Sequence, residues 1–225
     1  MARQARIVLS DTTHHITQRG NRGEFIFFEK QDYQTYIDIL TEQCTRFHVS
    51  IYSFCLLPNQ VHLLVEPQQS NLMARAIGEA HRRYTGYINK KKDWSGHLFQ
   101  NRFFSYAMDE QYALRAARYI ETLPVTLKLT DRPENYIWNS AKSRIKLNKP
   151  IDFLKDFQSF HIMNNWEDFL SRPMDKEEIN KIQLHLQTGR PRGSNLFLDS
   201  IEQKIGRPVR PQKRGRKPKN QTQAA

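Results

Sequence analysis

Residues 49–67 read VSIYSFCLLPNQVHLLVEP, and this stretch predicts a β-hairpin. Two runs rich in β-branched, leucine and aromatic residues flank the turn-forming pair Pro58-Asn59, which is typical of two antiparallel strands. Side chains alternate between faces along a strand, so Gln60 and His62 project to the same side. Together they could hold one cation there. His62 could equally be packed or hydrogen-bonded within the sheet.

Strands and helices alternate on both sides of this hairpin, with apolar residues recurring at helical spacing in the helices and β-rich runs in the strands. In chain order, the further predicted strands cover 12–19, 25–28 and 98–108, and the helices cover 29–48, 71–91 and 109–124. This order predicts an α+β fold of the ferredoxin-like type, in which an antiparallel sheet carries helices packed on one face.

The sequence changes character after residue 150, so we predict a main domain over 1–150, a helical extension over 151–206 and a basic disordered tail over 207–225. The extension contains two helical segments joined by a turn at Gly189, which fits a helix-turn-helix as well as any helical hairpin. Prolines keep the tail from folding as a helix. It could follow a DNA minor groove or remain a solvated tail.

Composition points to a polyanionic partner. The 225 residues carry a formal net charge of +12 and the pI is about 9.8, which favours association with nucleic acid without distinguishing DNA from RNA. No apolar run approaches the roughly 20 residues that span a bilayer, and the N-terminus lacks the apolar stretch of a signal peptide. We therefore expect a cytoplasmic, nucleoid-associated protein. Cys44 and Cys55 have no zinc-like spacing, so we expect reduced, buried thiols.

Tyr119 lies on the third predicted helix and is a candidate nucleophile. A phenol with a pKa near 10 attacks poorly until a base or a metal ion assists it. A metal-bearing strand and a tyrosine-bearing helix would therefore matter jointly in cutting a phosphodiester. Taken alone, Tyr119 could simply fill the core.

Several motifs occur in one order along the chain: HHITQRGNR (14–22), LPNQVH (57–62), GEAHRRY (78–84), GHLFQNRF (96–103), RYIE (118–121), WNSA (138–141), TGRP (188–191) and KRGR (213–216). Together they resemble the REP-associated tyrosine transposases, bacterial single-tyrosine transposases of the HUH superfamily, where REP denotes a repetitive extragenic palindrome. The resemblance covers nearly the whole chain.

The resemblance implies a function in DNA transposition and recombination. Relatives bind single-stranded DNA hairpins, and their tyrosine, which Tyr119 matches, cuts the strand to leave a 5′-phosphotyrosine link and a free 3′-hydroxyl. Two strand histidines and a helix amide bind Mg²⁺ or Mn²⁺, and the matching strand positions here are Gln60 and His62. Relatives act as monomers or homodimers. From charge and motif position, we predict the following DNA contacts: Arg19, Arg22, Arg82, Arg83, Arg102, Arg207, Arg210, Lys213, Arg214, Arg216 and Lys217.

Two of the three metal positions depart from the family pattern. Gln60 replaces the first histidine, although its carbonyl oxygen still suits a hard cation. Leu123, four residues after Tyr119 on the same helix face, replaces the amide and cannot coordinate a metal. Thr122 could place a hydroxyl near the gap, whereas Glu121 points away. We therefore expect impaired cleavage. The alternatives are a domesticated, catalytically inactive DNA- or RNA-binding regulator and a basic RNA-associated protein on the same fold.

Overall fold

The computed structural model describes residues 6–145, 151–156 and 165–211. Four antiparallel strands form one sheet in the order β2-β3-β1-β4. They are β1 (Thr13–Arg19), β2 (Val49–Leu57), β3 (Gln60–Pro67) and β4 (Phe104–Met108). With one helix after β1 and another after β3, the chain follows the strand-helix-strand-strand-helix-strand order of a ferredoxin-like fold, which confirms the predicted class.

The hairpin predicted from residues 49–67 forms as β2 and β3. Leu57 pairs with Gln60, so Pro58 and Asn59 make the turn. The register shifts between Ile51 and Ser53, an irregularity of the kind that bends and twists a strand. Helices cover both faces of the sheet. Nearly every residue of this hairpin from Ile51 to Val65 is therefore buried.

Helices α1 (Lys30–Arg46) and α2 (Leu72–Lys92) pack on one face of the sheet. Their buried stripes meet the side chains of Ile16 and Leu63, which point to that face. Helix α3 (Glu110–Thr126) follows the completed unit and packs on the opposite face, against Leu64 and Tyr106. The sheet therefore has a two-helix side and an α3 side.

Helix α3 begins at Asp109, whose carboxylate accepts a hydrogen bond from the backbone N–H of Tyr112 at 3.1 Å. It ends at Thr126, two residues past the predicted end near Pro124. Pro124 has no N–H to donate, but the N–H of Leu127 still donates to the carbonyl of Leu123 at 2.9 Å.

Two predicted strands differ in the structure. Residues 25–28 form no strand, because the N–H groups of Ile26 and Phe27 both donate to the carbonyl of Pro58 rather than to a ladder. The strand predicted over 98–108 begins only at Phe104. Residues 98–103 form a loop instead, tied to β1 by a bond from the N–H of Gln100 to the carbonyl of Arg19 at 3.0 Å.

Helix α4 (Ala141–Ile145) still belongs to the predicted main domain. The C-terminal extension contains α5 (Trp166–Ser171), α6 (Lys176–Thr188) and α7 (Asn195–Ile205). Helix α6 packs on β4 and β1. Arg192 pairs in parallel with Met108 beside β4, so the extension adjoins that edge of the sheet. A helix-turn-helix role for these helices stays a prediction. The predicted contacts Lys213, Arg214, Arg216 and Lys217 lie outside the described residues.

Both cysteines are free and buried, as predicted. Within the described part of the chain, no helix combines the length and the apolar character that crossing a membrane requires.

Candidate functional site

Two histidines and Tyr119 meet on the α3 side of the sheet. Thr17 of β1 pairs with His62 of β3, so His15, two residues before Thr17, shares a face with His62. The Nε2 atom of His15 lies 3.1 Å from Nδ1 of His62. The ring centroid of Tyr119 lies 5.9 Å from that of His15 and 6.0 Å from that of His62. The structure therefore brings the predicted tyrosine and histidine together.

His15 is a site residue that the sequence interpretation missed. The alternation of side chains along β1 places His15 and Thr17 on one face, and that signal was available in the sequence. Its partner was not, because the pairing of β1 with β3 fixes which histidine lies opposite. The contact with His15 engages Nδ1 of His62, and such a bond selects the tautomer of a ligand imidazole.

Both imidazoles are neutral at physiological pH. Burial and, second, the positive charge of Arg19 together lower the pKa of His62 to about 3. Burial, followed by repulsion from His62, holds the pKa of His15 well below its usual range. Neutral imidazoles can donate or accept hydrogen bonds, and they can act as ligands, but they supply no charge to an anion.

We predict that stability falls as the pH is lowered from 7 to 5. Burial also lowers the pKa of His14 to about 4 and that of His81 to about 3. A histidine with a lower pKa in the folded state binds its proton mainly on unfolding, so its stabilisation is complete above about pH 6.5 and is lost as the pH falls toward the folded pKa. Each such histidine contributes a slope of up to about 1.4 kcal/mol per pH unit.

Urea unfolding at pH 7 and pH 5 measures this loss. His81→Gln should reduce the pH dependence of the free energy of unfolding by the contribution of about one bound proton. Replacement of the exposed His97 by glutamine is the matched control and should leave the slope unchanged. Equal stability at the two pH values would contradict burial of the neutral imidazoles.

A cavity of about 1160 Å³ opens beside Tyr119. The sheet and α3 contribute one wall and α6 contributes another, with lining residues that include Arg19, Gln60, His62, Leu123, Gln183 and Gln187. This volume is somewhat larger than the roughly 300–1,000 Å³ of ordinary small-molecule sites. It can admit a nucleotide with its phosphate.

Tyr119 is held between the sheet and α6. It is only 8% exposed. Burial raises the pKa of its phenol, while a hydrogen bond with Gln183 and the positive charge of Arg19 act in the opposite direction. Gln183, which comes from the C-terminal extension, was not anticipated from the sequence, because no local pattern indicates which face of α6 meets the sheet.

Arg19 differs from the other predicted DNA contacts in facing Tyr119. It ends β1 directly opposite Gln60 and lines the cavity. No ion pair to another described residue engages its guanidinium. Arg22 and Arg102 lie in loops at the same end of the sheet, since β1 ends where its antiparallel neighbour β4 begins.

The remaining predicted arginines have carboxylate neighbours or lie elsewhere. Arg82 and Arg83 are on α2, across the sheet from Tyr119, and they pair with Glu79 at 2.7 Å and Glu42 at 2.6 Å. Arg210, after α7, pairs with two carboxylates at 2.7 Å each. Arg207 is also in that segment. The structure therefore does not bring these four to the cavity.

The residues at the cavity do not fit the three-ligand metal site that the resemblance implies. His62 is retained, but Gln60 offers only a neutral oxygen and Leu123 offers none. Thr122 donates its hydroxyl to the carbonyls of Arg118 and Tyr119 at 2.8 and 3.3 Å, so it stabilises the helix instead of filling the gap. Nowhere in the described ranges do three His, Cys, Asp or Glu side chains form a metal-binding group. A cation here would also meet the charge of Arg19.

Glu121 points away from the cavity, as predicted, and anchors α3 from behind. Its carboxylate is fully buried and accepts hydrogen bonds from Ser140 at 2.7 Å, Trp166 at 2.7 Å and Ser53 at 3.1 Å. It also forms an ion pair with Arg144. Three neighbouring segments therefore hold the helix that carries Tyr119.

Comparison with known proteins agrees with this fold. The family model described as "Transposase IS200 like" matches residues 9–122, about half of the chain, and this range includes β1 to β4 and Tyr119. The chain belongs to the IS200-like transposase family.

One solved structure shows the same fold. A REP-associated tyrosine transposase bound to a REP hairpin superposes with a TM-score of 0.56 at 17% identity, covering 70% of this chain and 96% of that one. A candidate transposase from Deinococcus radiodurans R1 gives a TM-score of 0.38 at 19% identity, covering 54% and 97%. A bacterial tRNA(His) guanylyltransferase-like protein in complex with ATP gives 0.39 at 11% identity, covering 72% and 76%. None of the curated proteins matches the sequence significantly.

Proposed function

We propose that this protein binds single-stranded DNA hairpins, with a backbone phosphate held at the Tyr119 cavity by Arg19. The observation that carries the proposal is the position of this guanidinium, which lines the cavity with Tyr119 and pairs with no carboxylate of the described residues. A guanidinium recognises phosphate oxygens through a planar set of donors. Repetitive extragenic palindromes are the proposed hairpins, because a structure of the same fold holds one.

Strand cleavage is the family reaction, and we propose that it is impaired here. Tyr119 is the proposed nucleophile, attacking phosphorus to form a 5′-phosphotyrosine link and release a 3′-hydroxyl. The family uses Mg²⁺ or Mn²⁺ to assist this attack. The support for impairment is the pair of replacements, Gln60 and Leu123, on two walls of the same cavity. Binding and cleavage therefore separate in this chain.

The second candidate is a domesticated regulator that binds DNA or RNA hairpins and never cleaves them. It is favoured by the same two replacements and by the proposal that Arg19 holds the phosphate without a metal ion. A cytoplasmic, nucleoid-associated location follows for either candidate if its partner is DNA. Both candidates predict hairpin binding, and they differ only in whether any covalent product forms.

Hairpin binding is tested by fluorescence anisotropy with labelled hairpins from inverted repeats of the protein's own genome. We expect Arg19→Gln to weaken binding about tenfold or more, because a charge-assisted phosphate contact contributes about 1.5–3 kcal/mol. Arg82→Gln is the matched control, since Arg82 is held by Glu79 on the far side of the sheet, and it should change affinity less than about twofold. Equal losses in both variants would contradict the proposal.

A further inference from the structure

Two aromatic side chains form an exposed pair, one just before α1 and the other just after α2. Phe28 is 36% exposed and Trp94 is 52% exposed. Their ring centroids lie 5.6 Å apart at an interplanar angle of 81°. Exposure of two large rings together is unusual in a chain whose other aromatic residues mostly pack in the cores, and such a pair is typical of a binding surface.

The pair is held in place by the backbone around it. The N–H of Phe28 donates to the carboxylate of Asp32 at 2.9 Å. The N–H of Trp94 donates to the carbonyl of Asn89 at 2.9 Å, and the Asn89 amide donates to the carbonyl of Gly96 at 3.0 Å. The rings are therefore anchored to the start of α1 and the end of α2, and a ligand would not have to order the segments that carry them.

Lysines surround the pair. The ammonium group of Lys92 lies 4.4 Å from the centroid of the Phe28 ring, within the range of a cation–π contact. The exposed Lys90 precedes it in the last turn of α2. Lys91 pairs with the carboxylates of both Glu29 and Asp32, so it offsets one of their two negative charges. In the adjoining loops, the acidic residues Glu24 and Asp93 form no ion pair with any described residue.

The two loops that carry the rings both lead to the Tyr119 cavity. Arg19 and Gln100 line that cavity, and the N–H of Asn21 donates to the carbonyl of Leu98 at 2.8 Å, joining the loops midway. Gln100 follows Trp94 by six residue steps, which limits the distance between their Cα atoms to roughly 20 Å. A strand that leaves the cavity along these loops would reach the rings within a few nucleotides.

We propose that Phe28 and Trp94, with Lys92, form a stacking site for unpaired bases of the strand whose phosphate is held at Tyr119. Every base has a π face, so such a platform is tolerant of sequence. Nearby ammonium groups suit the strand's phosphates. This inference rests on the proposed hairpin binding and adds a separate site for the single-stranded segment beside the hairpin.

The test compares the tightest-binding hairpin of the anisotropy series with the same hairpin extended by an oligothymidine tail at either end. We expect one of the tails to tighten binding by wild-type protein about tenfold, and Trp94→Ala to remove that gain, in line with the stacking energy of a base on an aromatic ring. Trp94→Phe should keep most of it. Affinity for the blunt hairpin should stay within about twofold in all variants.

Leu196→Ala is the matched control, because Leu196 is 82% exposed on α7 and is not part of the aromatic pair. It should leave the gain from the tail intact, and thermal unfolding checks that each variant is folded. If neither tail tightens binding, or if Trp94→Ala weakens blunt and tailed hairpins equally, the stacking site is wrong. If the blunt hairpin itself does not bind, the proposed function fails instead.

Discussion

Replacing Glu121 by alanine should lower the free energy of unfolding by about 3–5 kcal/mol, the usual cost of removing one partner of a buried ion pair. The side chain of Arg144 is only 7% exposed, and the variant leaves its charge without this carboxylate. The indole N–H of Trp166 and the hydroxyls of Ser53 and Ser140 would lose the same acceptor. Urea denaturation of purified protein measures the change.

Glu177→Ala provides the matched control for this measurement. Glu177 forms an exposed pair with Lys181 four residues along α6, and such pairs contribute less than about 1 kcal/mol. Glu121→Gln should give a loss between those of the other two variants. The amide keeps an acceptor for Trp166 but removes the carboxylate charge beside Arg144, which keeps its ion pair with Asp156 at 3.7 Å. A loss of less than about 1 kcal/mol in Glu121→Ala would show that this network does not anchor α3.

Restoring the two altered ligand positions should produce the largest gain in activity. In the double variant Gln60→His with Leu123→Asn, an imidazole and an amide would line the cavity beside His62, on the strand and helix positions that the family uses. We expect Mn²⁺ binding detectable by calorimetry or electron paramagnetic resonance. We also expect covalent Tyr119–hairpin product to rise by about a hundredfold or more, since even outer groups around a metal change affinity 10–100-fold.

Three controls separate the causes. Leu123→Val keeps an apolar side chain and should give neither metal binding nor product. Gln60→His alone should give a smaller gain than the pair. Adding Tyr119→Phe to the double variant should abolish product while leaving Mn²⁺ binding unchanged. Failure of the double variant to bind Mn²⁺ would contradict the assignment of the defect to Gln60 and Leu123.

Local patterns in the sequence were sufficient for most of the fold. The alternation and turn of residues 49–67 predict the β2–β3 hairpin, and helical periodicity predicts α1 to α3 to within a few residues. The errors occurred where backbone groups bond across the chain: Ile26 and Phe27 donate to the carbonyl of Pro58, and residues 98–103 follow the end of β1 as a loop. Neither arrangement produces a periodic pattern of apolar residues in the local sequence.

The site residues also fall into two groups: those that the sequence could identify and those that depend on contacts across the chain. Tyr119, His62, Gln60 and Leu123 could be identified by motif and spacing. The first three lie within residues 9–122, which the family model matches, and Leu123 follows Tyr119 by four residues on the same helix. His15 and Gln183 required the tertiary structure. The contact between His15 and His62 depends on the register of β1 against β3. The approach of Gln183 depends on how the C-terminal extension packs across the cavity.

We propose that the cavity holds a DNA phosphate through Arg19 without a divalent cation. The most direct test measures the dissociation constant of wild-type protein for its tightest-binding hairpin in excess EDTA and in Mn²⁺. Because a guanidinium supplies the charge, we predict values that agree within about twofold. Weakening by tenfold or more in EDTA would contradict the claim and show that a bound metal ion is needed to hold the DNA.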